Sequence, residues 1–357
     1  MGKETFGETF QRFHGRTSGF DYLRLFLALG VIFWHGSVVV YGHDFDARLG
    51  DSWVGAVSRL LLPMFFALSG FLVAGSLLRT NSLLEYVSFR VLRIFPALAV
   101  EVTLSAVVLG ALVTTLPLSD YFSEGEFFRY LGNMAGLIYV YLPGVFAENP
   151  SRWVNISLWT VPYELECYIV LLGLAAFGVV KRPKLFLASL LVVQVLLPIL
   201  DHFAAADQFE GINRVMPRTL ILCFLAGVGF YIFRDRVPRH LGIGFLAFAT
   251  SFALVLLPGM SYFVSVPIAY ATVVIGLSNP PKVPIIFSGD YSYGLYLYAF
   301  PFQQLHMYLF PDNTSWFANM IFAVPATACF AYFSWTCIEK PILRHRKAIV
   351  QHIQNRL

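Results

Sequence analysis

Ten runs of predominantly apolar residues, each between 17 and 23 long, constrain what this chain can fold into. They occupy 22–41, 56–78, 94–116, 157–179, 184–201, 217–233, 241–257, 261–277, 286–306 and 317–338. About twenty residues of helix cross a hydrocarbon core of ~30 Å. Lipid offers backbone N–H and C=O groups no partner, so runs of this kind must become helices. Composition agrees: 57% of the residues are hydrophobic and 13% charged, where a soluble domain carries about a quarter charged residues. A soluble enzyme is excluded. The expected fold is all-α, a polytopic membrane helix bundle of about ten transmembrane helices. Its least marked boundary rests on Pro258, Gly259 and Met260, between the seventh and eighth runs.

Positive charge supplies the orientation, because Lys and Arg accumulate in short cytoplasmic loops. With the amino terminus inside, 19 of the 25 basic residues fall in cytoplasmic segments. The other six, Arg48, Arg59, Arg129, Arg152, Arg214 and Arg218, lie outside among acids such as Asp44, Glu126 and Glu148. Both termini are therefore expected in the cytoplasm. The domain reading is a cytoplasmic tail over 1–21, one transmembrane domain over 22–338 and a second cytoplasmic tail over 339–357. A net charge of +4 with no basic stripe outside the apolar runs excludes nucleic acid as a partner. Cys167, Cys223, Cys329 and Cys337 fall inside or beside apolar runs and read as small core residues. No HExxH pair occurs, and no metal is expected.

Ionisable side chains inside a spanning helix are expensive and turn towards the bundle interior or a water-filled cavity. In the first run Arg24 and His35 are eleven positions apart, which at about 100° per residue returns to within about 20° of one face. They are separated by roughly 16 Å along the axis, which sets Arg24 at the cytoplasmic edge and His35 in the outer half. A snorkelling arginine and a hydrogen-bonded core histidine are the bland account; a neutral imidazole also serves as a base near neutral pH. The fourth run enters from outside and carries Glu164 at a depth similar to that of His35, as a base and its orienting carboxylate require. Glu166 points roughly 160° away from Glu164 around the helix and reads as structural.

Arg90 and Arg93, at i and i+3, open the third run on the cytoplasmic side. Paired guanidinium groups match phosphate oxygens bidentately, although arginines flanking a span on the positive side are ordinary. The ninth run holds tyrosines at 291, 293, 296 and 298 on several faces. Gly70 and Gly294 are candidates for close helix approach. Residues 117–156, the longest outer connection, read as an interfacial or re-entrant element.

Taken in order, Arg24-x10-His35, FFALSGFLV at 65–73, Arg90-x-x-Arg93, WTVPYE at 159–164, SYGLYLY at 292–298 and IEKP at 338–341 resemble the acyltransferase-3 family of bacterial membrane-bound O-acyltransferases. The resemblance covers nearly the whole chain. It departs at Ala299, where many members have a histidine, and at Leu165, where a second glutamate is common. It implies ten core helices in the bacterial inner membrane. It also implies transfer of acetyl or related acyl groups from cytoplasmic acyl-CoA to hydroxyls, often of surface or exported glycans.

On that resemblance the expected donor substrate is acyl-CoA, acetyl-CoA foremost, with no permanently bound cofactor. The expected partners are a glycan or glycolipid acceptor, the bilayer and other components of polysaccharide biosynthesis. Arg90 and Arg93 are assigned to CoA phosphates, His35 to deprotonation of the acceptor hydroxyl, Glu164 to orienting the imidazole and stabilising imidazolium, and Arg24 to lining the donor entrance or stabilising negative charge there. The rival classes are a secondary transporter, whose inverted repeat the sequence does not show, and a component of polysaccharide export without chemistry.

Overall fold

The computed structural model describes residues 4–80, 82–204, 217–284 and 286–354. Lys3, Arg214 and Arg356, which entered the charge count, lie outside the described residues. The α-helices are α1 (Phe6–Arg12), α2 (Ser18–Tyr41), α3 (His43–Gly50), α4 (Trp53–Leu77), α5 (Leu83–Thr103), α6 (Gly110–Val113), α7 (Leu118–Ser123) and α8 (Gly125–Leu131). They continue as α9 (Val161–Ala176), α10 (Pro183–Ala204), α11 (Pro217–Ile232), α12 (Leu241–Leu256), α13 (Ser265–Gly276), α14 (Ser292–Leu309), α15 (Trp316–Phe333) and α16 (Lys340–Gln354). The described residues contain isolated bridges, Thr5 with Pro238 and Thr114 with Val145, and no strand.

Six helical runs are long and apolar enough to cross a membrane: Ser18–Tyr41, Trp53–Leu77, Leu83–Val113, Ile156–Ala176, Pro183–Leu200 and Trp316–Gln351. The chain is thus a multi-pass membrane protein. Pro217–Ile232, Leu241–Leu256 and Ser261–Gly276 are shorter apolar helices. Each of the ten apolar runs coincides with a helix, α14 being the remaining one. The weak boundary is a true turn: α12 ends before Pro258, and Gly259 takes φ 74°, a left-handed conformation that glycine adopts without penalty.

The contacts divide the chain into two units. One holds residues 1–27, 49–86 and 163–283 and is built around α4 and α11, with α10, α12 and α13 packed about them. Small residues bring α4 and α11 into backbone contact. A Cβ on Gly70 would stand 2.0 Å from the Phe224 carbonyl oxygen, and one on Gly227 2.0 Å from that of Ala67. Phe10 and Tyr231 pack edge-on against Phe71. Before the first span, α1 is closed by a capping box in which Thr5 Oγ1 accepts from Glu8 N–H and Glu8 Oε2 accepts from Thr5 N–H. Hydrogen bonds from the Thr5 backbone N–H and hydroxyl to the Glu8 carboxyl hold it below its ordinary value.

The other unit holds residues 28–48, 87–162 and 284–357. Here α14 and α15 form the main pair, and a Cβ on Gly294 would stand 2.7 Å from the Ala331 Cα. Two π-helical stretches interrupt long helices, Leu104–Leu109 between α5 and α6, and Ser334–Glu339 between α15 and α16. The outer connection contains α7, α8 and an extended segment that leads to a 3-10 turn at Ile156–Thr160.

Candidate active site

α2 is continuous from Ser18 to Tyr41, so Arg24 and His35 share one helix as expected. The helix divides between the units at Leu27, which leaves Arg24 in the first and His35 in the second. Arg24 is half-buried, its Nη1 3.9 Å from Asp21 Oδ1. His35 is 8% exposed, packs edge-on against Phe300 of α14 with ring centroids 5.4 Å apart, and keeps a buried Nδ1 without a hydrogen-bond partner. A buried polar atom left unpaired is costly and calls for an explanation, of which a bound ligand or a proton-transfer role is one.

Glu164 lies in the first turn of α9, in the first unit, half-buried and accepting from the Tyr168 hydroxyl one turn on. Glu166 is exposed, in keeping with its opposite helical face. Cys167 and Cys223 are buried, whereas Cys329 and Cys337 are exposed.

The sequence criterion overlooked a carboxylate that it should have caught. Glu101 lies in the third apolar run and is fully buried on α5. Its Oε1 accepts from Asn155 Nδ2 at 2.8 Å and from Ser105 Oγ at 2.8 Å, while Oε2 has no partner. Asn155 also donates through Nδ2 to the Leu297 carbonyl at 2.8 Å. That carbonyl is available because Pro301, four residues on, has no N–H to close the helical bond. The other end of the same amide, Asn155 Oδ1, accepts from Ser157 N–H and caps the 3-10 turn. One asparagine therefore ties α5, the turn and α14 together. Leu297 and Phe300 are three residues apart, so the Glu101 cluster and the His35 ring meet α14 within about one turn.

Midway along α5, Arg93 donates from Nη1 to Glu339 Oε2 at 2.6 Å and from Nη2 to Asp290 Oδ2 at 2.8 Å. Its guanidinium also lies 5.5 Å from the centre of the Tyr293 ring. The fork geometry that suits a phosphate is here matched to two carboxylates. Arg90 sits half-buried one turn earlier. Glu339, of the IEKP segment, is 2% exposed and accepts from Ser334 Oγ across the π-helical stretch. Both fully buried carboxylates among the described residues thus border π-helical stretches, which are frequent at functional sites.

The ninth-run tyrosines diverge as their spacing requires. Tyr293 donates to the Ile94 carbonyl and Tyr296 to that of Ser157, while Tyr298 is buried against Phe330. Beyond them, Gln303 donates to the Ile32 carbonyl of α2, and Asn319 to the carbonyl of Gln303.

A family model described as an acyltransferase domain matches residues 17–338. An O-acetyl transferase of Shigella phage Sf6 is 26% identical over 338 residues, 92% of this chain and 96% of that protein. Nodulation protein 10 of Rhizobium leguminosarum bv. viciae is 27% identical over 362 residues, covering 94% of this chain and 96% of that protein. No solved structure matches.

Proposed function

The chain belongs to this acyltransferase-domain family, and from that premise we propose that it carries an acyl group, acetyl foremost, from acyl-CoA on the cytoplasmic side to a hydroxyl of a surface or exported glycan. Ten crossings in a bacterial inner membrane, with both termini inside, complete the proposal. The observation that carries it is the buried His35 imidazole with its unpartnered Nδ1, in a chain similar to an O-acetyl transferase. In the proposed step the imidazole takes the proton of the acceptor hydroxyl as its oxygen attacks the thioester carbonyl. The C–S bond breaks, an ester C–O bond forms, and the imidazolium returns the proton to the departing CoA thiolate.

The donor's phosphates are assigned to the cytoplasmic start of the third apolar run, where α5 carries Arg90 and Arg93. Arg90 and Arg93 are both candidates for the phosphates, and Arg93 is also engaged with Glu339 and Asp290. Arg93 then holds α5 where Arg90 is presented. Arg24 and Glu164 enter the proposal through mutation: Arg24→Ala and Glu164→Gln are each expected to lower transfer. Within the unit of His35, the added candidate is Glu101.

Sidedness tests the reading. The charge count sets Arg90 inside, and His35 lies in the outer half of α2. Vesicles loaded with acetyl-CoA on the face of Arg90 and glycan on the other face are expected to form ester. Product formed only when both substrates share the cytoplasmic face would overturn the assignment, and failure to cleave acetyl-CoA at all would remove the donor.

A further inference from the structure

A cavity of about 470 Å³ opens among the outer connections of the second unit, lined in part by His43, Glu126, Tyr141, Asn149, Arg152 and Trp153. Its volume lies within the range of small-molecule sites, about 300–1,000 Å³. None of these six residues was singled out as a site residue from the sequence. Its lining comes from His43, just after the first span, and from 126–153, both in connections that the charge count sets outside.

The lining is held rigidly. Trp153 Nε1 donates to the Tyr141 hydroxyl at 3.1 Å, and His43 packs edge-on against the Trp153 ring, with centroids 4.3 Å apart. Asn149 uses Nδ2 for both the carbonyl and the Oε1 of Gln304, at 3.0 and 2.8 Å, so its own carbonyl oxygen is what it can offer a ligand. Gln304 Nε2 in turn donates to the carbonyls of Ser151 and Trp153 at 2.9 and 2.6 Å. Glu126 accepts from the Tyr139 hydroxyl at 3.0 Å. Nearby, Phe146 is fixed at φ 53°, a conformation that a bulky residue rarely adopts. Backbone held this way is a mark of sites shaped by their surroundings.

The chemistry on offer is two fixed aromatic rings, acceptors at Glu126 and Asn149, and donors at Arg152 and His43. Lipid chains have no use for these polar groups, and an anion would meet the Glu126 carboxylate. A ring with an apolar C–H face and hydroxyls around its edge uses all of them. We propose that this cavity is a pyranose-binding subsite, holding one sugar unit of the acceptor on the outer side. The inference rests on the glycan reading above and deepens it. It also fits the location of His35. Phe300, which packs against His35, and Gln304, which braces the cavity wall, are one turn apart on α14. α2 ends at Tyr41, six residues or about 9 Å beyond His35, and His43 begins the next helix.

The test is saturation-transfer NMR on the purified full chain in detergent, with glucose, galactose, rhamnose and N-acetylglucosamine as probes. At least one is expected to bind. Arg152→Ala removes a donor that faces the ligand and Tyr141→Phe the hydroxyl that holds the Trp153 ring, neither emptying the core, and each is expected to weaken binding about tenfold, the loss of one good hydrogen bond. Thermal unfolding confirms that the variants fold. Trp153→Ala is expected to abolish binding, and the two milder variants decide the matter where it does not fold. In parallel, the wild-type protein is assayed for acetyl-CoA cleavage. Pyranose binding unchanged in both mild variants, alongside wild-type cleavage, would overturn the cavity and leave the glycan reading intact. Cleavage without binding of any pyranose would overturn both the cavity and the sugar acceptor while leaving the acyltransferase. Absence of cleavage with pyranose binding lost in the variants would support the cavity and remove the donor assignment.

Discussion

The two units bury different chemistry. In the unit built on α4 and α11, every buried polar side chain among the described residues is a serine or threonine: Thr9, Thr17, Ser18, Ser58, Thr219, Ser251, Ser265 and Thr272. Hydroxyls of this kind can bond a carbonyl of their own helix, as Ser251 does with Ala247 and Thr272 with Ile268. The other unit also buries Glu101, Glu339, Asn133, Asn155, Gln303, Gln304, Asn319, His35 and His306. These side chains need partners from other elements, and each partner left out costs free energy. One unit is therefore organised as packed apolar helices, and the other buries polar side chains that are bonded between elements.

The largest expected effect tests that contrast directly. His35→Gln keeps the volume of the side chain and removes the proposed base, so acylation should fall by roughly 10²–10⁴-fold with insertion and folding unchanged. Near-normal glycan acylation by this variant at wild-type expression would reduce the polar unit to architecture.

Next comes the cost of one buried carboxylate against one buried hydroxyl. Glu101→Ala leaves Asn155 and Ser105 each lacking an acceptor, and a buried donor left unpaired costs about 1–3 kcal/mol. Ser251→Ala removes a bond within a single helix and should change stability by less than about 0.5 kcal/mol. Thermal unfolding of both variants in detergent measures the gap; equal shifts would erase it.

Helix approach gives a smaller contrast within the first unit. Gly70→Ala drives a Cβ into the Phe224 carbonyl and should destabilise by about 1–3 kcal/mol. Gly173 has nothing within 4 Å of its added Cβ, so Gly173→Ala should be neutral or stabilise by up to about 1 kcal/mol through helix propensity.

The smallest effect concerns Asp46, between the first two spans. Removal from water holds its carboxyl above the ordinary aspartate value, against the pull of the Ser37 hydrogen bond and the charge of His43. The folded chain then binds the proton more tightly than the unfolded chain. Stability is fullest at acid pH and declines as pH rises from the ordinary value of ~3.9 to the folded one. Asp46→Asn should flatten that part of the profile, as urea unfolding at several pH values would show.

What could be read in the sequence was whatever lipid makes local. A helix in hydrocarbon satisfies its backbone within a few residues, so composition alone located the apolar segments, the turn at Gly259 and the ionisable His35. Glu101 was equally legible by that rule, as an acid within an apolar run, and its partners were not. Asn155 lies 54 residues from Glu101 and 142 from Leu297, while Arg93 meets Asp290 and Glu339 across 197 and 246 residues. No spacing rule encodes such pairs. They form because burial removes water as the competing partner, and each polar group must then find whatever donor or acceptor the packed helices bring to it. The apolar runs determined which segments are helices; only the tertiary structure decided that an asparagine in a loop would bridge a buried glutamate and the carbonyl freed by Pro301.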